Sequence, residues 1–365
     1  MQKKLIALAV AGMIAAPAFA QSNVTVYGRL DYGYLNADAD ATVGGSKGSV
    51  ETSSTGFGTG ALTTSRLGVM GSEDLGNGLK ANFQLELRIA DTSAFGSDTG
   101  ADLADSFDTR LALVGLSGGF GSVTLGRQYT AVETAWGVGS AGGLNNAIGA
   151  AYTGLALDLS SPVLVSGIKF NNTRSDELIT YKSPSMNGFQ ATVQYGKGET
   201  DATGVGSDIS QKEFGLALTY GNGPLNVALG YSKEKAEAAG ATTSEPTQVV
   251  LSANYDFGAA KVFGLYADGS NDKGAGAADD QDRDVWELGV NVPVGMATTL
   301  VASYYRGDSE DGATKADIDG YQLGAIYSLS KRTKLYALYG NAEVDVDSMN
   351  NAETTNFALG VRHDF

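Results

Sequence analysis

Leu79-Lys80-Ala81-Asn82-Phe83-Gln84-Leu85-Glu86-Leu87-Arg88-Ile89 alternates without a break. Leu79, Ala81, Phe83, Leu85, Leu87 and Ile89 share one face of an extended chain, and Lys80, Asn82, Gln84, Glu86 and Arg88 share the other. A period of two points to a strand rather than a helix, and the stretch matches the ~9–11 residues of a tilted strand crossing a bilayer. Alternation alone does not say which face is inward. Number and length decide, because segments of this kind recur along the whole chain.

Upstream, residues 23–35 place Val24, Val26, Leu30, Tyr32 and Tyr34 on one face, opposite Thr25, Arg29 and Asp31. Downstream, clear alternation returns at 188–195, 214–220, 227–231, 249–255, 286–292, 321–329 and 355–365. Weaker segments lie near 63–71, 107–116, 122–128, 174–183, 260–267, 298–306 and 333–341. The count is about sixteen, an even number as in single-chain bacterial outer-membrane barrels. Short turns, such as Asp74-Leu75-Gly76-Asn77-Gly78 and Gly221-Asn222-Gly223-Pro224, alternate with long polar stretches. Those stretches are read as loops at about 36–62, 91–106, 197–211, 232–246, 268–284, 307–319 and 341–354. Short turns at one end and long loops at the other are the periplasmic and extracellular sides of such a barrel. The fold class expected is therefore all-β: a transmembrane antiparallel barrel of about sixteen strands.

Residues 1–20 read as a secretory signal peptide: Lys3 and Lys4, an apolar run from Leu5, then Ala18-Phe19-Ala20. Residues 21–365 then form one domain, with a formal charge near −18 once two lysines are taken from the chain carrying −16. No later apolar run approaches the ~20 residues of a membrane-spanning helix. That acidity argues against a nucleic-acid partner, which needs an excess of Lys and Arg. With no cysteine there is no disulfide, thiolate metal site or thiol nucleophile.

One connection stands apart. Between the strand ending near Arg127 and the one starting near Arg174 run roughly fifty residues without alternation, far beyond an ordinary loop. Trp136, Leu144, Ile148, Tyr152, Leu155, Leu157 and Val163 let it bury against something, so it is read as folded into the interior. Its Gly137-Val138-Gly139-Ser140-Ala141-Gly142-Gly143 lacks the setting and the Lys-Ser/Thr ending of a phosphate loop. The acidic run from Asp279 to Asp284 does not match an ordered calcium loop. The single histidine, His363, sits on the apolar-face parity of the last strand, with nothing near it to form a nucleophile pair. No catalytic, cofactor or metal residues are assigned, and an enzyme is not expected. A passive channel is favoured over an adhesive barrel that binds a partner through its acidic loops, with an anion- or sugar-preferring channel as a variant.

Several stretches resemble the general porins of Gram-negative bacteria, and most closely those of beta-proteobacteria. They are Val24-Thr25-Val26-Tyr27-Gly28-Arg29, Ser65-Arg66-Leu67-Gly68-Val69-Met70-Gly71-Ser72-Glu73-Asp74-Leu75-Gly76-Asn77-Gly78, and Gly115-Leu116-Ser117-Gly118-Gly119-Phe120-Gly121-Ser122-Val123-Thr124-Leu125-Gly126-Arg127-Gln128-Tyr129. Tyr327-Ser328-Leu329-Ser330-Lys331-Arg332-Thr333 and the ending Arg362-His363-Asp364-Phe365 complete the set. The resemblance implies an outer-membrane homotrimer whose third extracellular loop, here 128–170, folds inward to form a constriction. It also implies basic wall residues at Arg29, Arg66, Arg127 and Lys182, facing acids on that loop, here only Glu133 and Asp158. Phe365 would be the assembly signal. Partners would be outer-membrane lipids, lipopolysaccharide, ions and small hydrophilic solutes.

Overall fold

A computed structural model describes residues 23–43, 46–89, 107–139, 173–200, 209–238, 241–272, 281–312, 314–346 and 350–365. The chain opens with β1 (Asn23–Val43), β2 (Ser46–Thr59), β3 (Arg66–Gly76), β4 (Leu79–Ile89), β5 (Phe107–Gly118) and β6 (Gly121–Tyr129). A helix, α1 (Ala131–Gly139), precedes β7 (Arg174–Lys182), β8 (Phe189–Thr200), β9 (Ile209–Asn222), β10 (Leu225–Ala238) and β11 (Ala241–Asp256). The remainder is β12 (Lys261–Asp272), β13 (Gln281–Val294), β14 (Thr298–Asp311), β15 (Thr314–Ser328), β16 (Thr333–Val346) and β17 (Asn350–Asp364).

Apart from β2 and β3, each strand pairs antiparallel with the next, and β17 closes the sheet on β1, from Arg29 opposite Asp364 to Thr42 opposite Asn351. Closure is what a spanning sheet requires, since an open edge leaves backbone groups unsatisfied in hydrocarbon. The seventeen segments make sixteen strands, because β2 and β3 are two halves of one. β2 pairs with the upper part of β1, ending at Thr59 opposite Tyr32, and β3 pairs with the lower part, starting at Arg66 opposite Arg29. The expected strand at 63–71 thus begins only at Arg66. Residues 60–65 leave the wall.

The turn chemistry follows the sequence. Asn77-Gly78 and Asn187-Gly188 both have positive φ, 53° and 78° in the first and 53° and 89° in the second. Those angles suit the tight hairpin turn that matches strand twist. The first described residue, Asn23, and Phe365 lie at this short-turn end. Val26, Leu30, Tyr32, Phe83, Leu85, Val114, Leu125, Leu251, Leu288, Leu323 and Leu359 are exposed on one face, which is the outer one. Glu86, Gln128, Gln194, Ser252, Glu287 and Gln322 are buried on the other.

The long polar stretches are a correction. Much of 36–62, 232–246, 268–284, 307–319 and 341–354 continues as strand, so that many strands run 14 residues or more. Alternation does not stop there; it changes sign. Beyond Trp286, Tyr304 and Tyr321 the outer positions become Asp284, Asp308 and Asp319, while Val285, Ala316, Ile318, Ala342 and Val344 are buried inside. An acidic outer collar with a buried apolar inner face thus rises past the aromatic girdle.

Candidate functional site

Arg29 and Arg66 lie on the inner face, directly opposite each other across β1 and β3. Arg29 Nη1 and Arg66 Nη2 both donate to the Thr63 hydroxyl, at 3.2 and 3.3 Å. Arg29 Nε also donates to Asp364 at 2.6 Å, and the same carboxylate pairs with Arg362 at 3.1 Å. On the other side, Arg66 faces Glu86 at 3.6 Å, and Glu86 accepts from Arg110 Nε at 2.7 Å. Arg110 Nη2 then reaches the Tyr129 hydroxyl at 3.0 Å, and Tyr27 donates to the second Glu86 oxygen at 3.0 Å. A continuous polar chain therefore runs along the wall from β17 to β6.

Arg110 belongs to this chain only because β5 bulges. In strict alternation it would share the outward face of Ala112, Val114 and Leu116. The register slips instead, with Glu86 opposite Leu111 and Leu87 opposite Thr109. The extra residue, Arg110, turns inward, which is a common use of a bulge. Its side chain is 5% exposed, against 15% for Arg66 and 25% for Arg29. The two less buried guanidiniums are the ones offered to the lumen.

The other expected residues are placed separately. Arg127 is tied to Asp176 at 2.7 Å and to the Thr109 carbonyl, following Gly126, whose positive φ and close approach to the Ala112 carbonyl leave no room for a Cβ. Lys182 ends β7 opposite Ser122, beside the short turn that opens β6, and is exposed. Neither joins the Arg29–Arg66 pair. Arg174, which sequence reading passed over, lies over the Tyr129 ring at 5.6 Å.

Glu133 sits in the first turn of α1, three residues after Thr130, whose carbonyl accepts the first helical hydrogen bond. That is capping-box spacing, so the acid has a local reason to be there. Val132, Ala135 and Trp136 are buried, the Ala135 carbonyl accepts from Ser252, and the Val138 carbonyl accepts from Asn254 at 2.7 Å. The helix therefore seats on inner positions of β10 and β11, half-way round the barrel from β3. Asp158 and most of the expected constriction loop, 140–170, lie outside the described residues, as does the signal segment 1–20.

Among the described residues no group of carboxylates and His is arranged to hold a metal ion. His363 is exposed on the outer face and shares a 2.9 Å contact with Thr333. Phe365 closes the barrel: its amide donates to the Gly28 carbonyl and its carbonyl accepts from the Gly28 amide, both at 3.0 Å. Its ring covers Gly28, where a Cβ would collide with it.

The Gram-negative porin family model matches residues 7–347. The chain is a Gram-negative porin. Outer membrane porin protein 32 of Delftia acidovorans, a beta-proteobacterium, is 35% identical over 346 residues, covering 93% of this porin and 88% of the relative. The solved anion-selective porin from Comamonas acidovorans superposes with a TM-score of 0.69 at 28% identity, covering 94% of this porin and all of that chain. The trimer form of an outer-membrane protein of Vibrio cholerae shares the fold, with a TM-score of 0.62 at 19% identity, and 94% and 99% of the two chains covered. This porin is thus an outer-membrane channel and not an enzyme.

Proposed function

We propose that this porin is a general diffusion channel for ions and small hydrophilic solutes, with a mild preference for anions, working as a homotrimer. The observation that carries the anion preference is the inner-wall chain of charges. Arg29, Arg66, Arg110 and Arg362 are met there by Glu86, Asp364 and the buried Asp31, three acids against four arginines. Positive charge is left over where solutes pass, and rings of charge are how a wide pore sorts ions. The acidic collar would favour cations at the mouth, but screening confines each effect to about 8–10 Å, so the wall governs locally. The solved anion-selective relative supports this reading, as the Vibrio trimer supports the homotrimer.

In this account Arg29 and Arg66 are the principal selectivity residues, and Arg127 and Lys182 are secondary ones towards the two ends. Loop 128–170, which begins with α1 on the opposite wall, is the constriction element in this reading, with Glu133 and Asp158 as its acidic residues. Residues 1–20 direct export, and the outer belt meets lipid and lipopolysaccharide. Single-channel conductance in planar bilayers, with liposome swelling in neutral sugars of graded size, tests the diffusion claim. Open channels with a smooth size cut-off are expected. Silent bilayers would contradict it and return the adhesive, plugged barrel.

A further inference from the structure

Between Tyr32 and Arg29, β1 advances by Leu30 and Asp31, while its partner strand uses residues 60–65 over the same height. The surplus folds inward and is pinned there. Gly60, with φ of +95°, starts the departure, and Leu62 is wholly buried against an apolar cluster that includes Tyr336, Leu338 and Ala358. Asp31 uses both carboxylate oxygens: one accepts from the Thr63 amide at 2.9 Å, the other from the Tyr336 hydroxyl at 2.6 Å. Ser65 donates to the Asp31 carbonyl and accepts from the Asp31 amide. The result is a rigid bracket that presents one hydroxyl, that of Thr63, to two guanidiniums.

Register puts Arg29 and Arg66 on the same face of β1 and β3, but it does not bring two mutually repelling charges onto one neutral oxygen, as the Thr63 hydroxyl does. We propose that residues 60–65 set the selectivity of the channel, with Thr63 as the positioning residue. Its hydroxyl holds Arg29 and Arg66 side by side, and a passing carboxylate or phosphate oxyanion meets both at once. Asp31 and Tyr336 hold Thr63 in turn. The inference rests on the anion-preferring reading above and adds that the strand break, rather than the arginines alone, creates the paired charge.

The test is reversal potential in a salt gradient for Thr63→Val and Thr63→Ser channels, each checked for barrel assembly by heat-modifiable migration on gels. Thr63→Val should lower the anion-to-cation permeability ratio by about threefold, the size of one net hydrogen bond. Thr63→Ser should restore it. Tyr336→Phe, which loosens the anchor without touching either arginine, should shift the ratio in the same direction and serves as the readout if Thr63→Val assembles poorly. Assembled Thr63→Val and Tyr336→Phe channels with unchanged reversal potential would overturn the inference. An Arg29→Gln, Arg66→Gln double variant separates the two claims. If it loses anion preference while the Thr63 and Tyr336 variants keep it, only the bracket is wrong; if it too is unchanged, the selectivity reading falls with it.

Discussion

At the scale of single residues, the charge on the inner wall depends on how each arginine is shared. Glu86 is almost buried and serves both Arg66 and Arg110. Breaking a buried pair from one side leaves a charge uncompensated, so Glu86→Gln should destabilise the barrel by about 3 kcal/mol. It should also strengthen anion preference, because a negative charge leaves the wall. Thermal unfolding and reversal potential on the same preparation check both, and a fall in anion preference would contradict the assignment. The inward face of Arg29 was legible in the polar parity of its strand, whereas Arg66 was singled out only by the resemblance, its strand being one of the weaker alternations. Arg110 was not legible: its parity is that of Ala112 and Val114, and only the bulge at Glu86–Leu87 turns it inward. Arg127, given by its motif, stands on β6 paired with Asp176, apart from the Arg29–Arg66 pair.

At the scale of strands, about sixteen alternating segments correctly anticipated the barrel, while the collar was misread as loops. The reason is that loop reading rests on a local excess of Asp and Glu, and the collar places those acids at every second position with Ala or Val between. Asp268, Asp284, Asp308, Asp317 and Asp345 stand at one level on five neighbouring strands. Like charges directly opposite destabilise a sheet. Asp308 is held above the usual carboxylate range by its hydrogen bond with Asp317, then by burial and the Asp284 charge, and Asp284 is raised by burial and Asp268. A raised value in the folded chain means that stability is lost as pH rises through it. Asp308→Asn should therefore stabilise the barrel by about 0.5 kcal/mol at neutral pH. The gain should vanish once acid protonates the row. Thermal melting at two pH values measures this, and a gain of equal size in acid would refute the repulsion account.

At the scale of the whole molecule, closure depends on the β17–β1 seam, where Phe365 exchanges two backbone hydrogen bonds with Gly28. Deleting Phe365 should reduce trimer yield in the outer membrane, because it removes the seam's last pair and the aromatic that covers Gly28. Native mass spectrometry of extracted membranes reads this, and normal trimer yield would remove the assembly role. The inward excursion at 60–65 was invisible in the sequence, since Leu62-Thr63-Thr64-Ser65 carries the β-branched and apolar residues of an ordinary strand.

The central claim is that the inner wall, not the net acidity of the chain, decides which ions pass. The most direct measurement is the reversal potential of the unmodified channel across a salt gradient at low ionic strength, compared with an Arg29→Gln, Arg66→Gln channel. The account predicts anion preference in the first and its loss or reversal in the second. A clear cation preference in the unmodified channel would contradict it, because the collar would then outweigh the wall.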